Sequence, residues 1–289
     1  MGQYSIKEVE TLSGVKAHTL RIWEQRYDFL KPKRTDTNIR YYTDEQLRLL
    51  LNIGTLNRNG MKISKIAELG KTELSKQVMN VYDVTHEPDY LLDSLIHSML
   101  DFDERRFEKT LNSAILKLGF DETFGKLIFP FMTRTGALWT TGAVRVAQEH
   151  FISNLIRRKI LVAIDGQHIS ANIRTRKFIL FLPEGETHEL LLMFSEYLLR
   201  KHNHEVIYIG ASLPLEDLAF IYKTFKPDYL VTFITAPMKH NSVATYIKKL
   251  CAVYPQSKIV AGGAQLVKAK FPSNYLAVST QQDFLNLIQ

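Results

Sequence analysis

Residues 178–188 have the sequence Phe178-Ile179-Leu180-Phe181-Leu182-Pro183-Glu184-Gly185-Glu186-Thr187-His188. Five consecutive apolar residues are followed by a turn, and then by Glu186 and His188, which are two positions apart. A short apolar run bounded by turn residues is typical of a strand that is buried on both faces. The stretch therefore predicts a central β-strand with a carboxylate and an imidazole just beyond its carboxyl end.

Similar apolar segments recur between residues 176 and 289, and helical patterns separate them. The predicted strands are 177–182, 205–209, 228–234, 258–261 and 276–279. This alternation predicts a Rossmann-like, doubly wound parallel sheet with right-handed crossovers. Ligands of such sheets bind outside the carboxyl ends of the strands, which is where Glu186 and His188 would lie. Glu186 can hold one ring nitrogen of His188 and leave the other for a metal; a surface histidine at the start of a helix is the alternative.

Residues 88–165 have a helical pattern throughout. Their apolar stripes include Leu91/Leu95/Met99 and Phe107/Leu111/Ile115, spaced as on one face of a helix. With turns near Gly119 and Gly142, the segment predicts a four-helix bundle, and Pro130 is expected to kink one helix. Residues 76–88 and 165–175 are predicted to be linkers, so the expected domains are 1–75, 88–165 and 176–289.

Residues 1–75 predict a winged helix-turn-helix. A tight turn, Ser13-Gly14-Val15, separates two short helices, and a basic hairpin follows at 31–42. The second helix would enter the major groove of DNA and the hairpin would touch the DNA backbone. The candidate DNA-binding residues are Lys16, His18, Thr19, Arg21, Arg26, Arg40, Tyr41 and Tyr42.

Composition supports this assignment and limits others. The formal net charge is +7, and basic residues are concentrated between 16 and 40, as expected for contact with phosphates. The single cysteine, Cys251, excludes an internal disulfide and a thiolate metal cluster, and it is expected to be a core residue. We find no apolar run of the roughly 20 residues that span a bilayer and no signal-peptide pattern, so a cytoplasmic protein without membrane contact is expected.

The N-terminal segment resembles the DNA-binding domain of the MerR family in two places. These are Thr19-Leu20-Arg21-Ile22-Trp23-Glu24-Gln25-Arg26-Tyr27 and Asn38-Ile39-Arg40-Tyr41-Tyr42. The resemblance covers most of residues 1–75 and implies that the protein binds pseudo-palindromic double-stranded DNA as a dimer. Many metal-sensing members use cysteines near a long dimer helix, and this chain has none there. A thiolate metal sensor is therefore not expected.

The C-terminal segment resembles the cobalamin-binding domain shared by methionine synthase and corrinoid proteins. The family pattern is an acidic residue two positions before a histidine, then a serine and leucine, and later two glycines. It corresponds here to Glu186 and His188, then Thr232, which keeps the hydroxyl, and then Gly262-Gly263. The resemblance implies that His188 is the lower axial ligand of cobalt. It also implies that the nucleotide tail of the cofactor passes Thr232 and the two glycines.

The helical segment resembles the cap of cobalamin-dependent, light-responsive MerR-type regulators. Trp139 is followed by nine residues and then by Glu149-His150. The resemblance implies that Trp139 covers the upper face of the corrin, that Glu149 hydrogen-bonds the adenosyl ribose, and that His150 can ligate cobalt after light removes the adenosyl group. Bundle core for Trp139 and helix surface for Glu149 and His150 are the ordinary alternatives.

Together these resemblances predict a transcriptional repressor and not an enzyme. The expected cofactor is adenosylcobalamin, and the expected partners are an operator in double-stranded DNA and further copies of the chain, as a dimer or a tetramer. The resemblance implies that light changes the oligomer. Ligand and assembly are then linked, because a ligand shifts an equilibrium only through its different affinities for the two states.

Leu191 keeps other interpretations open, because the family has glycine three residues after the histidine. A branched side chain there can crowd the nucleotide tail of cobalamin. A second hypothesis is therefore a cobalamin-independent MerR-type regulator controlled by a regulatory protein partner. A remote third hypothesis is a corrinoid methyl carrier that uses His188, although a carrier needs no DNA-binding segment.

Overall fold

The computed structural model divides the chain into two units, Met1–Leu155 and Ile156–Gln289. The structure describes residues 3–35, 38–84, 88–139, 144–167, 176–238, 242–266 and 270–289. None of the described helices combines the length and the apolar character that a membrane span requires.

The first unit begins with a winged helix-turn-helix arrangement. Its elements are β1 (Gln3–Tyr4), α1 (Ile6–Ser13), α2 (Ala17–Arg26), β2 (Lys33–Arg34), β3 (Arg40–Thr43), α3 (Asp44–Arg58), α4 (Ile63–Ala67) and α5 (Lys71–Val84). The three strands form an antiparallel sheet in the order β1-β3-β2. Residues 36–37 of the predicted hairpin lie outside the described part of the chain.

Local sequence explains where these helices begin and end. Ser5 and Thr43 each form a capping box at the start of α1 and α3, in which the hydroxyl accepts from the backbone three residues ahead. Gly14 ends α1 with φ of 70°, a left-handed conformation that glycine adopts at little cost. Leu20 and Trp23 of α2 are three positions apart on one face of the helix, and both are buried.

Helices continue through the predicted bundle. They are α6 (Pro88–Asp101), α7 (Glu104–Leu118), α8 (Phe120–Thr123), α9 (Phe129–Trp139) and α10 (Val146–Asp165), with a π-helical turn at Phe124–Ile128 joining α8 to α9. The boundary between the two units falls within α10.

Pro130 explains the π-helical turn. In a regular α-helix the N–H of residue 130 would donate to the carbonyl of Lys126, but proline has no N–H and its ring clashes with that carbonyl. The backbone N–H of Phe129 instead donates to Phe124, five residues back, so the helix takes an extra residue just before the proline. The expected kink is thus a widened turn upstream of Pro130.

The segment predicted as the first linker, 76–88, differs from expectation. Helix α5 extends to Val84 and packs against both α3 and α6, and α3 also contacts α6 directly. The helix-turn-helix and the helices that follow are therefore parts of one compact unit.

The second unit contains a parallel five-stranded sheet. Its elements are β4 (Lys177–Pro183), α11 (Leu190–Lys201), β5 (Glu205–Leu213), α12 (Leu215–Phe225), β6 (Tyr229–Phe233), α13 (Val243–Val253), β7 (Lys258–Gly262), β8 (Tyr275–Ala277) and α14 (Gln281–Ile288). The strand order is β5-β4-β6-β7-β8, with every pair parallel. This confirms the predicted doubly wound sheet.

The centre of the sheet explains its stability and the location of its ligand-binding edge. Strand β4 is buried from Phe178 to Pro183 and pairs with β5 on one side and β6 on the other. From β4 the chain crosses to β5 on one side, and from β5 it crosses back to β6 on the other side of β4. The strand order therefore reverses between β4 and β6. Cys251 of α13 belongs to the apolar core on one face of the sheet, as the sequence predicted.

Candidate functional site

Glu186 organises the loop that follows β4. Its Oε1 accepts hydrogen bonds from the backbone N–H groups of Thr187 at 2.9 Å and His188 at 3.0 Å, and lies 2.5 Å from the Nδ1 of His188. Its Oε2 accepts from the backbone N–H groups of Thr235 at 2.7 Å and Ala236 at 2.8 Å. The carboxylate therefore ties the loop after β4 to the loop after β6, where the strand order reverses.

The same loop is also tied to the carboxyl end of β5. The backbone N–H of Ser212 donates to the carbonyl of Glu186 at 3.1 Å, and the hydroxyl of Ser212 accepts from the N–H of Gly185 at 3.0 Å. Three adjacent strands thus fix the position of Glu186 and His188. A side chain held in this way is preorganised for a ligand at the carboxyl edge of the sheet.

The charge state of Glu186 follows from its surroundings. Burial raises its pKa, but the hydrogen bonds from the His188 ring and from the backbone of Ala236, His188 and Thr235 outweigh burial and lower the pKa to about 2. Because an ionised carboxylate can only accept hydrogen bonds, Nδ1 of His188 must carry a proton and donate a hydrogen bond to Glu186. In the neutral imidazole Nε2 then carries the lone pair that a metal needs. The His188 side chain is 51% exposed, whereas Glu186 is almost fully buried.

A second carboxylate, Glu189, anchors the start of α11 just beyond His188. Its Oε2 accepts from Nη1 of Arg157 at 2.7 Å, and its Oε1 accepts from the hydroxyl of Tyr208 at 3.0 Å. None of these three residues is among the site residues predicted from the sequence. Its position next to His188 is the one sequence feature that could have indicated a role for Glu189. Its partners could not be found in this way, because they lie on α10 and β5, far away in sequence.

Thr232 and the paired glycines lie at the carboxyl ends of β6 and β7. Thr232 is fully buried, and its Oγ1 has no hydrogen-bond partner among the described residues. A Cβ on Gly262 would lie 2.6 Å from the ring of Phe233, and one on Gly263 would lie 2.4 Å from the carbonyl oxygen of Ile234. Glycine is thus required here by the packing of the protein itself.

Leu191, the departure from the family pattern, lies in the first turn of α11. Its side chain is half-buried, and its carbonyl accepts from the hydroxyl of Ser195 at 2.9 Å.

The predicted cap residues lie on α9 and α10. Trp139 is the last residue of α9, and its side chain is outside the described part of the structure. Glu149 lies in the first turn of α10, where it accepts from the hydroxyl of Ser153. The Nε2 of His150 is 3.4 Å from the Oε2 of Glu149, and the His150 side chain is largely exposed. The structure thus brings Glu149 and His150 together at the start of one helix.

The predicted recognition helix presents a polar, basic surface. Lys16 caps α2 and lies 3.3 Å from Glu10, while His18, Arg21 and Arg26 are exposed. Thr19 is half-buried, with its hydroxyl 3.3 Å from Nε2 of His18.

The wing requires one correction. Tyr42 was predicted to contact DNA, but its side chain is fully buried and its hydroxyl donates to Glu24. Glu24 also pairs with Arg40 at 3.5 Å, and Arg40 is exposed, as its assignment requires. Tyr41 is half-buried. Because Tyr42 pairs with Tyr4 across the sheet, its ring faces the core, and it can affect DNA contact only by holding Glu24 and Arg40.

Comparisons with known proteins agree with this architecture. Residues 4–72 match the model of the MerR HTH family regulatory protein, and residues 91–163 match that of the B12 binding domain. The chain is 26% identical over 268 residues to the HTH-type transcriptional repressor CarH of Myxococcus xanthus, which covers 90% of this chain and 89% of that protein. It is 24% identical over 263 residues to the repressor CarA of the same organism, covering 89% and 85%.

A solved structure resembles the fold. The monomethylamine corrinoid protein of Methanosarcina barkeri has a TM-score of 0.55 at 12% identity, covering 68% of this chain and 97% of that one. At this identity the likeness concerns the fold alone. Taken with the two family matches and the two relatives along nearly the whole chain, it leads to one conclusion. The chain is a transcriptional regulator that joins a MerR-type helix-turn-helix to a B12-binding domain.

Proposed function

We propose that this regulator is a light-controlled repressor whose ligand is adenosylcobalamin. The observation that carries the proposal is the pair formed by Glu186 and His188 at the carboxyl edge of the sheet. An ionised carboxylate on Nδ1 leaves Nε2 as the nitrogen for an axial cobalt bond, and partners of this kind usually orient metal-bound histidines. The relatives that match nearly the whole chain are named as repressors, which supports the direction of regulation.

The described residues fit a metal that is already held by a cofactor and needs few ligands from the protein. No group of three or more His, Cys, Asp or Glu side chains in the described ranges can hold a metal ion. A corrin brings most of the ligands of its own metal, so one imidazole from the protein, that of His188, would be enough to hold it. The buried, unpartnered Oγ1 of Thr232 offers a hydrogen bond to a polar group near the same edge.

The remaining site residues have proposed roles around the cofactor. His188 would hold cobalt from below, Glu186 would orient His188, and Thr232, Gly262 and Gly263 would adjoin the nucleotide tail. Trp139, Glu149 and His150 would face the upper side. When bound, adenosylcobalamin supplies a cobalt–carbon bond that visible light breaks. The protein's part is to respond with a change of assembly, for which we propose a dimer or tetramer in darkness and smaller species in light.

DNA binding would depend on this assembly. Lys16, His18, Thr19 and Arg21 would face the major groove, while Arg26, Arg40 and Tyr41 would contact the backbone of an operator. Two linked subunits bind one DNA molecule far more tightly than either alone, because the second contact becomes intramolecular. Dissociation in light would therefore release the operator.

The first test is spectroscopic. The full chain is purified with adenosylcobalamin in darkness, its visible spectrum is recorded, and its size is measured before and after green light. We expect a base-off, histidine-bound spectrum and a smaller species after light. His188→Ala should abolish stable binding, whereas His202→Ala, at the far end of α11, should leave the spectrum unchanged.

Two results would count against the proposal. A protein that stays colourless with every cobalamin form would instead favour the cobalamin-independent regulator with a protein partner, which the branched Leu191 in the first turn of α11 supports. An unchanged spectrum in His188→Ala would remove His188 from the axial position while leaving cobalamin binding intact.

A further inference from the structure

The carboxyl end of α1 is held by two arginines that come from other parts of the first unit. The last carbonyls of a helix have no partners within it, and cations at this end also interact favourably with the helix dipole. Nη1 of Arg58, on α3, donates to the carbonyl of Ser13 at 3.1 Å, and Nε of Arg134, on α9, donates to the carbonyl of Thr11. Both arginines therefore bind the end of α1 directly before the turn of the helix-turn-helix.

The turn itself is packed against both guanidinium groups. A Cβ on Gly14 would lie 3.4 Å from Nη2 of Arg134 and 3.7 Å from Nη1 of Arg58. Gly14 ends α1, and α2 begins at Ala17, so only Val15 and Lys16 separate this contact from the recognition helix. The two guanidinium groups therefore help to fix the position at which α2 starts.

Asp93 is the buried partner of Arg58 in this cluster. It lies on α6, is 1% exposed, and accepts from Nη2 of Arg58 and from the hydroxyl of Thr55 at 3.1 Å. Burial and the nearby positive charge of Arg58 lower the pKa of Arg134 to about 10, which still leaves its guanidinium charged at neutral pH. Removing Arg134 takes this donor away from the carbonyl of Thr11, while Arg58 keeps Ser13 and Asp93, so the cost of the loss is specific to the contact between α9 and the end of α1.

A second set of contacts runs from an arginine of the N-terminal segment to the end of a helix in the helical segment. Nη2 of Arg48, on α3, donates to the carbonyl of Leu100 at 3.0 Å, and its Nε lies 2.6 Å from Asp101 at the carboxyl end of α6. The segment matched to the MerR family and the segment matched to the B12 binding domain are thus joined by arginines at helix ends on both sides.

We propose that Arg134 is a positioning residue for DNA binding: from α9, it fixes the end of α1 and the Gly14 turn, and through them the start of the recognition helix. Arg134 does this without touching DNA. The helical segment therefore takes part in setting the geometry of DNA recognition.

The test compares DNA affinity and its salt dependence in the full chain. The probe is a duplex that the unaltered chain selects from a random-sequence pool, and binding is measured without cofactor and with adenosylcobalamin in darkness. Arg134→Met keeps the apolar stem but removes the donor and the charge. We expect it to lower affinity about tenfold, the effect of losing one charge-assisted hydrogen bond from the binding conformation.

The salt dependence separates positioning from direct contact. A lost phosphate contact lowers the slope of log affinity against log salt by about 0.9. Arg134→Met should leave this slope unchanged, and Arg21→Ala should lower it. Arg105→Ala, an exposed arginine on α7, serves as the matched control and should change neither affinity nor slope.

Hydrogen exchange provides a readout of the turn itself. In Arg134→Met the backbone amides of residues 14–19 should exchange faster than in the Arg105→Ala control. Native affinity together with native exchange in Arg134→Met would overturn the proposal, and so would a reduced salt slope, which would mean that Arg134 contacts phosphate. Should the methionine variant fail to fold, Arg134→Ala, which also removes the donor and the charge, takes its place, and the same two results overturn the proposal. Because binding is also measured without cofactor, a failure of cobalamin binding leaves this test intact.

Discussion

The surroundings of Glu186 fix its charge state. Its pKa of about 2 lies below the ordinary value of 4.5, so the folded state holds the ionised form more firmly than the unfolded chain does. The corresponding stability is fully present above the unfolded pKa and is lost as the pH falls through the folded pKa. We expect a loss of up to about 3 kcal/mol between roughly pH 5 and pH 2.

Unfolding in urea across this pH range measures the effect. Glu186→Gln should be less stable at neutral pH and should lack this part of the acid dependence. Glu184→Gln is the matched control, because Glu184 is exposed on the same turn. The assignment is wrong if Glu186→Gln loses stability in acid as steeply as the unaltered chain.

A prediction in the wing distinguishes two roles for Tyr42, holding Glu24 in place and contacting DNA directly. Tyr42→Phe removes the hydroxyl that donates to Glu24, a carboxylate that is itself mostly buried. We expect a loss of about 1–2 kcal/mol in the free energy of unfolding, with an unchanged salt slope for DNA binding. Arg40→Ala should instead lower the slope by about 0.9, as one phosphate contact does. A loss of DNA affinity in Tyr42→Phe without a loss of stability would restore Tyr42 as a direct DNA contact.

Some of these residue contacts were visible in the sequence and others were not. The pairing of Glu186 with His188 followed from their spacing after an apolar run. The donors at Thr235 and Ala236 are backbone N–H groups, which any residue except proline supplies, so no side chain marks them. The burial of Tyr42 depends on its pairing with Tyr4, nearly forty residues away, and local alternation cannot reveal that register.

At the scale of elements, the contact between β6 and β7 sets the strictest requirement. Gly263 has φ of 107°, and a Cβ there would overlap the backbone of Ile234. Gly263→Ala should therefore cost more than about 3 kcal/mol in the free energy of unfolding, because strain and overlap add.

A second glycine isolates the contribution of overlap. Gly185 has φ of 82°, but a Cβ there would meet nothing within 4 Å. Gly185→Ala should cost only the conformational strain, about 1–2 kcal/mol. Equal losses in the two variants, measured by chemical unfolding, would show that close packing at Gly263 contributes little.

Two elements show what local patterns leave out. Pro130 predicted an irregular helix, yet the π-helical turn lies upstream, where the chain must avoid the carbonyl of Lys126. The sequence predicts a linker at residues 76–88, whereas helix α5 continues through this segment to Val84. Its packing against α3 and α6 comes from residues distant in sequence, and tertiary contact of this kind often outweighs weak local preference.

At the scale of the whole molecule, the sequence predicted the winged helix-turn-helix, the helical segment and the parallel sheet. The predicted strand 177–182 became Lys177–Pro183, and 276–279 became the shorter Tyr275–Ala277. The joining of the first two segments into one unit was not predictable. It involves the packing of α3 against α6 and the hydrogen bonds of Arg48, Arg58 and Arg134, all of which join residues distant in sequence. The three domain boundaries stay a prediction.

Cys251 has a practical consequence. It is the single cysteine of the sequence, it lies on α13 with its side chain buried in the core, and burial raises the pKa of its thiol, so little reactive thiolate forms. Maleimide dyes should pass over it in the folded protein. A second thiol introduced on an exposed helix would then be tagged selectively, and a fluorophore there could follow rearrangements during illumination in real time without first removing the native sulfur.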